Sequence, residues 1–233
     1  MPVTVITGAS RGIGKAIALA LARQGHELAL LARDPTTLAR IAAEIAPTPL
    51  LYPVDVRDKQ AVQSAFQDIY GKKGRIDVLV NSAGILLQGT HPLPDLLETN
   101  LLGAFHCITA VLEPMKAQKK GHIFNIVSKA GKVGIGSLSG YCASKFALMG
   151  LNDSLFVELA QYGVHITALC PGLVNTDMTR NAKIPAEEQI PAADIVLAIE
   201  FLLRLSPQTR IRELVLECGK TVELSNNAPF FPT

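Results

Sequence analysis

The chain has 233 residues, 48% of them hydrophobic and 18% charged, which supplies a core and excludes intrinsic disorder. Lys plus Arg is 22 against 20 acidic residues, so the net charge of +2 gives no field to gather nucleic acid or an anionic membrane, and 5% aromatics without Trp argue against a stacking platform for single strands. No apolar run reaches the roughly 20 residues of a membrane span, and four scattered cysteines without a C-x-x-C pair exclude a disulfide framework or a zinc or other metal site.

Met1-Pro2-Val3-Thr4 enters a strand directly, without a basic and apolar leader, which predicts a cytoplasmic address. The first strand covers residues 3–7, and a glycine turn at 8–12 leads into a helix to about 23, with Ile13, Ile17, Ala20 and Leu21 on its apolar face. The unbroken apolar run at 28–32 reads as a strand buried on both faces. A helix over 35–46 is opened by Asp34 as cap, with Pro35 at its first position. A third strand at 50–54, a helix at 58–70 and a fourth strand at 76–80 follow, then a long helix over 95–116 that kinks or ends near Pro114. The fifth strand is expected at 123–127, a long helix at 139–161, the sixth strand at 165–169, an amphipathic helix at 192–205 and a last strand at 213–216. Strands alternate with helices throughout and no linker intervenes, so the pattern predicts one α/β domain over 1–233, a parallel sheet with helices on both faces. The glycosylation-type triplet Asn152-Asp153-Ser154 is read as chance in a reducing compartment.

Thr7-Gly8-Ala9-Ser10-Arg11-Gly12-Ile13-Gly14 joins the first strand to the first helix. Its glycines let backbone approach a ligand, and the helix N-terminus offers free amides to an anion. The spacing is G-x-x-x-G-x-G rather than G-x-G-x-x-G, and by itself it serves a flexible βα turn as well as a phosphate site. Tyr141 and Lys145 stand four apart on a predicted helix, so their heads can meet over one ligand. A phenol titrates near 10, and a nearby ammonium lowers that value, making Tyr141 a competent proton donor to a ligand oxygen. Ser128, at the end of the fifth strand, can donate a hydrogen bond to the same oxygen.

These residues, with Asn81-Ser82-Ala83-Gly84, Asn100 and Tyr141-Cys142-Ala143-Ser144-Lys145, closely resemble the single-domain branch of the short-chain dehydrogenase/reductase family, in order from Thr4 to about Thr179. The resemblance implies a Rossmann-type doubly wound sheet of about seven parallel strands with a nicotinamide cofactor along their carboxyl ends. Gly8, Ser10, Arg11, Gly12, Ile13 and Gly14 would line the phosphates. Asp55 and Val56 would lie beside the adenine, and Asn81, Ala83 and Gly84 beside the ribose and nicotinamide. Pro171, Gly172, Val174 and Thr176 would lie under the nicotinamide and its carboxamide. It assigns Asn100 to a water linking Lys145 to solvent, and Lys145 also to the nicotinamide ribose. Ser82 departs from the family's more frequent Ala or Asn, a change expected to be tolerated.

At the end of the second strand Ala32 stands where an acidic residue would accept the ribose hydroxyls of NAD, and Arg33 follows it. With Arg11 in the glycine turn, two guanidinium groups suit a 2′-phosphate, which points to NADPH/NADP+; Asp34, the contrary feature, is read as a helix cap. Substrate choice is expected in the loops after Gly84 and Ser128 and in the loop 173–191. Asn175-Thr176-Asp177-Met178-Thr179-Arg180 resembles the 3-oxoacyl-acyl carrier protein reductases, with Lys129, Lys132, Arg180 and Lys183 as candidate cations for a phosphopantetheine-borne acyl thioester. Leu216-Glu217-Cys218-Gly219-Lys220 departs from those reductases and looks more like NADP-dependent carbonyl and alcohol reductases of small ketones. An NADPH-binding sensor without turnover is the alternative of another class, and the intact Ser128, Tyr141 and Lys145 argue against it. The resemblance also implies a homo-oligomer, tetramer or dimer, through the helices at 95–116 and 139–161, with the apolar tail Pro229-Phe230-Phe231-Pro232 either crossing a subunit boundary or fraying.

Overall fold

The structure, a computed structural model, describes residues 1–89 and 92–223; the tail 224–233 and His91 lie outside the described residues. Seven parallel strands form one sheet in the order β3-β2-β1-β4-β5-β6-β7: β1 (Val3–Thr7), β2 (Glu27–Ala32), β3 (Leu50–Pro53), β4 (Val78–Asn81), β5 (Gly121–Ile126), β6 (Val164–Pro171) and β7 (Glu213–Leu216). Alternate side chains leave the sheet on opposite faces, and both faces are covered. Ile6, Leu30, Val80 and Phe124 meet Ile17 and Leu21 of α1 (Gly12–Arg23), Leu38 of α2 (Pro35–Ala42) and Ile195 and Ile199 of α7 (Ala192–Arg204). Val5, Leu31, Leu79 and Ile123 meet Phe66 and Ile69 of α3 (Lys59–Lys73), Ile108 and Val111 of α5 (Gly103–Gln118) and Leu155 of α6 (Ser139–Glu158). β1 pairs with β2 on one side and β4 on the other, so the crossovers change direction at β1, and a crevice opens there beyond Thr7 and Asn81.

Two helices depart from expectation. α2 stops at Ala42 rather than at 46, because tight turn bonds close the end (Glu44 N to Ile41 O, 3.0 Å; Ile45 N to Ala42 O, 3.1 Å). The helix expected over 95–116 is three pieces, α4 (Leu93–Leu97), a π turn at Glu98–Leu102, and α5. Pro114 does not end α5; it sits inside a helix that runs on to Gln118. The interruption lies instead where a buried side chain, Asn100, is presented to the site, a frequent use of π turns. The long helix over 139–161 ends at Glu158 and tightens into a 3₁₀ turn at Leu159–Tyr162. Asn152 is fully buried, which rules it out as a glycan acceptor. Among the described residues no helix is long and apolar enough to cross a membrane, and no cluster of His, Cys, Asp or Glu could hold a metal ion.

Candidate active site

The carboxyl ends of the strands surround one cavity, walled by Gly8, Ser10, Arg11, Gly12 and Ile13 from the first turn, Arg33 after β2, and Asp55 and Val56 after β3. Ala83, Gly84, Ser128, Tyr141, Lys145, Pro171, Gly172, Val174 and Thr176 complete the predicted set on the same wall. The first turn is built by close approach. Gly8 has φ +64°, and a Cβ there would stand 2.7 Å from the Ala83 amide nitrogen; a Cβ on Gly14 would strike the Gly8 carbonyl oxygen. Thr7 locks the same junction, its hydroxyl accepting from the Ser82 and Ala83 amides at 3.2 and 3.1 Å. α1 begins without a side-chain cap or an acidic residue in its first turn, leaving its amides and its positive dipole end directed at the cavity. A Gly-lined, uncapped helix start of this kind fits a pyrophosphate.

Asp34 is committed to α2: it accepts from the Thr36 amide at 3.0 Å and bonds the Thr37 hydroxyl, and these bonds hold its carboxyl below the usual range. Arg11 and Arg33 are both exposed on the wall, on the two segments that flank a ribose. Asp55 is gripped by Arg57 (Nη2 to Oδ2, 2.7 Å), which lowers its carboxyl, with Arg33 contributing.

Three predicted residues stand one layer behind the wall rather than on it. Gly14 packs on Gly8. Asn81, 4% exposed, donates from Nδ2 to Asn125 Oδ1 at 2.9 Å, because its place in the β4 pleat turns it into the sheet; its Oδ1 is buried without a partner among the described residues. Asn100 accepts from the Ile85 amide at 2.8 Å and donates to the Ile85 carbonyl and the Ser144 hydroxyl, both at 3.0 Å. It therefore fixes the segment after Gly84 to the helix that carries Tyr141. A Cβ on Gly84 would meet Asn100 Oδ1 at 3.2 Å and Lys145 Nζ at 3.7 Å, so these polar heads converge just below the wall.

α6 brings Tyr141 and Lys145 together as their spacing requires, with Lys145 Nζ 5.7 Å from the centre of the tyrosine ring. Both are buried, 7% and 4% exposed. The electrostatics differ from expectation: burial pushes the phenol up to about 12, opposed in part by the neighbouring Ser128 hydroxyl, rather than down under the influence of Lys145. The ammonium donates to the Ile126 carbonyl at 2.9 Å, and burial brings its own pKa down to about 8. Ser128 caps the short turn after it, accepting from the Ala130 amide at 3.1 Å. The set is thus poised as an acid: a protonated phenol beside a serine hydroxyl, with a lysine ready to change charge near neutrality.

The loop 173–191 folds over one end of the cavity. A bridge between Val174 and Ile190 closes its base, and Thr176 with Thr179 forms a capping box that sets a 3₁₀ turn at Asp177–Thr179. Two of the four cations expected to serve a phosphopantetheine are spoken for: Lys129 pairs with Glu217 and Lys132 with Glu213, each at 2.7 Å. Besides Thr99 and Thr221, the wall residues that sequence reasoning did not name singly are apolar, among them Ile85, Leu86, Ile135, Leu138 and Leu173, in or next to the loops expected to choose substrate. Nothing in their type separates them from core residues; only their position in the loops after Gly84, Ser128 and Pro171 could have flagged them.

Residues 2–186 match the sequence profile of the short chain dehydrogenase family. A 3-oxoacyl-[acyl-carrier-protein] reductase of Homo sapiens is 34% identical over 230 residues, covering 93% of this chain and 97% of its own. Among solved structures, a betaketoacyl-[ACP] reductase from Bacteroides thetaiotaomicron superposes with a TM-score of 0.86 at 35% identity, covering 95% of this chain and 98% of its own. An alcohol dehydrogenase from the archaeon Thermococcus sibiricus, complexed with 5-hydroxy-NADP, superposes at 0.85 with 31% identity, covering 94% and 97%.

Proposed function

The chain belongs to the short-chain dehydrogenase family, and from that premise we propose that it is an NADPH-dependent reductase of ketones, acting on 3-oxoacyl thioesters. The observation that carries this reading is the meeting of Ser128, Tyr141 and Lys145 on the wall of the same cavity that the glycine turn opens into. When bound, the reduced nicotinamide supplies a hydride. The residues that would hold it are those of the uncapped α1 start for the phosphates, Asp55 and Val56 for the adenine, and Ala83, Gly84, Pro171, Gly172, Val174 and Thr176 for the nicotinamide end. Arg11 and Arg33 support the phosphorylated cofactor, since each offers paired donors and Asp34, the carboxylate next to Arg33, is engaged in capping α2. The name of the Thermococcus relative's complex agrees with this choice.

The chemistry asked of the protein is the proton. Tyr141 Oη gives its proton to the substrate oxygen, and Ser128 Oγ donates a hydrogen bond to that oxygen as charge builds on it. A phenol held at about 12 stays protonated until it is used. Lys145, charged below about 8, then stabilises the phenolate left behind. Asn100 holds the Ile85 segment and Ser144 in register, and its Oδ1 beside Lys145 is where a water could join the ammonium to solvent.

A second reading, a reductase of small uncharged ketones, is favoured by the apolar wall and by the pairing of Lys129 and Lys132, which removes two cations from the entrance. Self-association through α5 and α6 is supported by Phe105 (45% exposed) and Phe146 (46% exposed) on these helices. The deciding experiment follows NADPH oxidation against an acetoacetyl thioester, small diketones and aromatic ketones. The thioester is expected to give the highest kcat/KM; no oxidation with any of them, despite tight NADPH binding, would overturn the reading in favour of a sensor.

A further inference from the structure

We propose that the Lys129–Glu217 ion pair sets the charge preference of the substrate site, holding Lys129 away from substrate carboxylates so that the site takes uncharged ketones and rejects keto acids. The inference rests on the reading above and names a determinant of specificity within it.

Lys129 directly follows Ser128 and lies on the cavity wall, whereas Glu217, just past the end of β7, does not. The pair is 2.7 Å long, with the lysine side chain only 17% exposed and the glutamate 42%. The other wall cations are placed elsewhere or engaged: Arg11 and Arg33 stand at the ends of β1 and β2, and Lys145 is bound to the Ile126 carbonyl. Lys129 is therefore the cation next to Ser128 that a substrate carboxylate could reach. A glutamate tethered within the same fold competes at high local concentration, so a free carboxylate gains little by displacing it. Asp177, on the same wall, adds a repulsive charge to an incoming anion. Discrimination of this kind works by withholding a partner as much as by offering one.

Removing the charge of Glu217 would leave a largely desolvated ammonium without its partner, ready to receive a carboxylate from substrate. The test compares kcat/KM for 4-oxopentanoate and 5-oxohexanoate with their methyl esters, two acids that differ by one carbon in reach. The wild type should prefer the esters. Glu217→Gln should raise the acid-to-ester ratio about tenfold for at least one acid, the scale of one charge-assisted hydrogen bond, with ester turnover little changed. Glu217→Gln combined with Lys129→Met should return the ratio to wild type, and Lys129→Met alone, which breaks the same pair from the other side, should keep the ester preference. Glu213→Gln frees Lys132, which is off the wall, and should leave the ratio unchanged. An unchanged ratio in Glu217→Gln, a similar rise in Glu213→Gln, or a rise that survives loss of Lys129 would overturn the proposal. If the wild type reduces neither the esters nor the acetoacetyl thioester, the ketone reductase reading itself fails.

Discussion

Replacing Lys145 with Met should separate what this side chain does for catalysis from what its burial does to stability. Its pKa falls from 10.5 to about 8 through burial, a difference of 10.5 − 8, or about 2.5 units. At 1.36 kcal/mol per unit this is about 3 kcal/mol by which the native state disfavours the charged form. The unfolded chain keeps its lysine charged up to about 10.4, so between pH 8 and that value the unfolded state holds a proton the native state has lost, and stability rises with pH. The penalty is fully present below about 8 and gone above the unfolded value. Lys145→Met abolishes this titration and leaves the Ile126 carbonyl without its donor, a loss of about 1–3 kcal/mol that does not depend on pH. At pH 7 the variant should therefore be at least as stable as the wild type, yet without measurable turnover. The wild-type advantage in unfolding free energy should then climb by about 3 kcal/mol between pH 7 and about 10.5. Urea unfolding of both proteins at matched pH measures this, since titrating groups that do not interact with Lys145 cancel in the difference. Parallel curves, with a difference flat to about 0.5 kcal/mol, would refute the burial of a charged Lys145.

Two further perturbations address the cofactor end. Arg33→Asp reverses a charge on the ribose-flanking segment and should shift the ratio of kcat/KM for NADPH over NADH toward NADH by about tenfold or more, the lower end of a Coulomb term between exposed groups at about 4 Å; an unchanged ratio would remove Arg33 from the phosphate site. Gly8→Ala forces a side chain onto a residue at φ +64° and into the Ala83 backbone. Left-handed backbone alone is worth about 1–2 kcal/mol for a residue with a Cβ, so Tm should fall by about 2–8 °C or more, with NADPH binding weakened; a Tm within about 1 °C of wild type would contradict the close approach of the two segments.

The sheet was legible because parallel strands buried on both faces show as unbroken apolar runs, as at Leu28 to Ala32, and because glycines and caps mark where they end. The meeting of Tyr141 and Lys145 was legible through spacing, since four residues on a helix place them on one face wherever the helix goes. What escaped depends on contacts between distant segments. Asn100, inside the π turn, bonds through its side chain to Ile85 and Ser144, neither within helical reach, and such contacts leave no periodic trace. The raised pKa of Tyr141 follows from burial and the bond of Lys145 goes to the Ile126 carbonyl, and spacing carries neither. Lys129 and Lys132 read as free cations until their partners, more than 80 residues away, were seen beside them. The apolar wall was silent for the opposite reason: Leu138 and Leu173 are of the same type as the core they continue.

In the proposed NADPH-dependent reduction, Tyr141 delivers the proton to a ketone oxygen. The most direct measurement is single-turnover NADPH oxidation with acetoacetyl thioester by wild type and Tyr141→Phe, with NADPH affinity measured alongside by fluorescence. The account predicts a fall in rate of about 10²–10⁴ for the variant with cofactor affinity within about twofold, because the ring and its burial are kept and only the acid is lost. Turnover retained within about tenfold of wild type would contradict it.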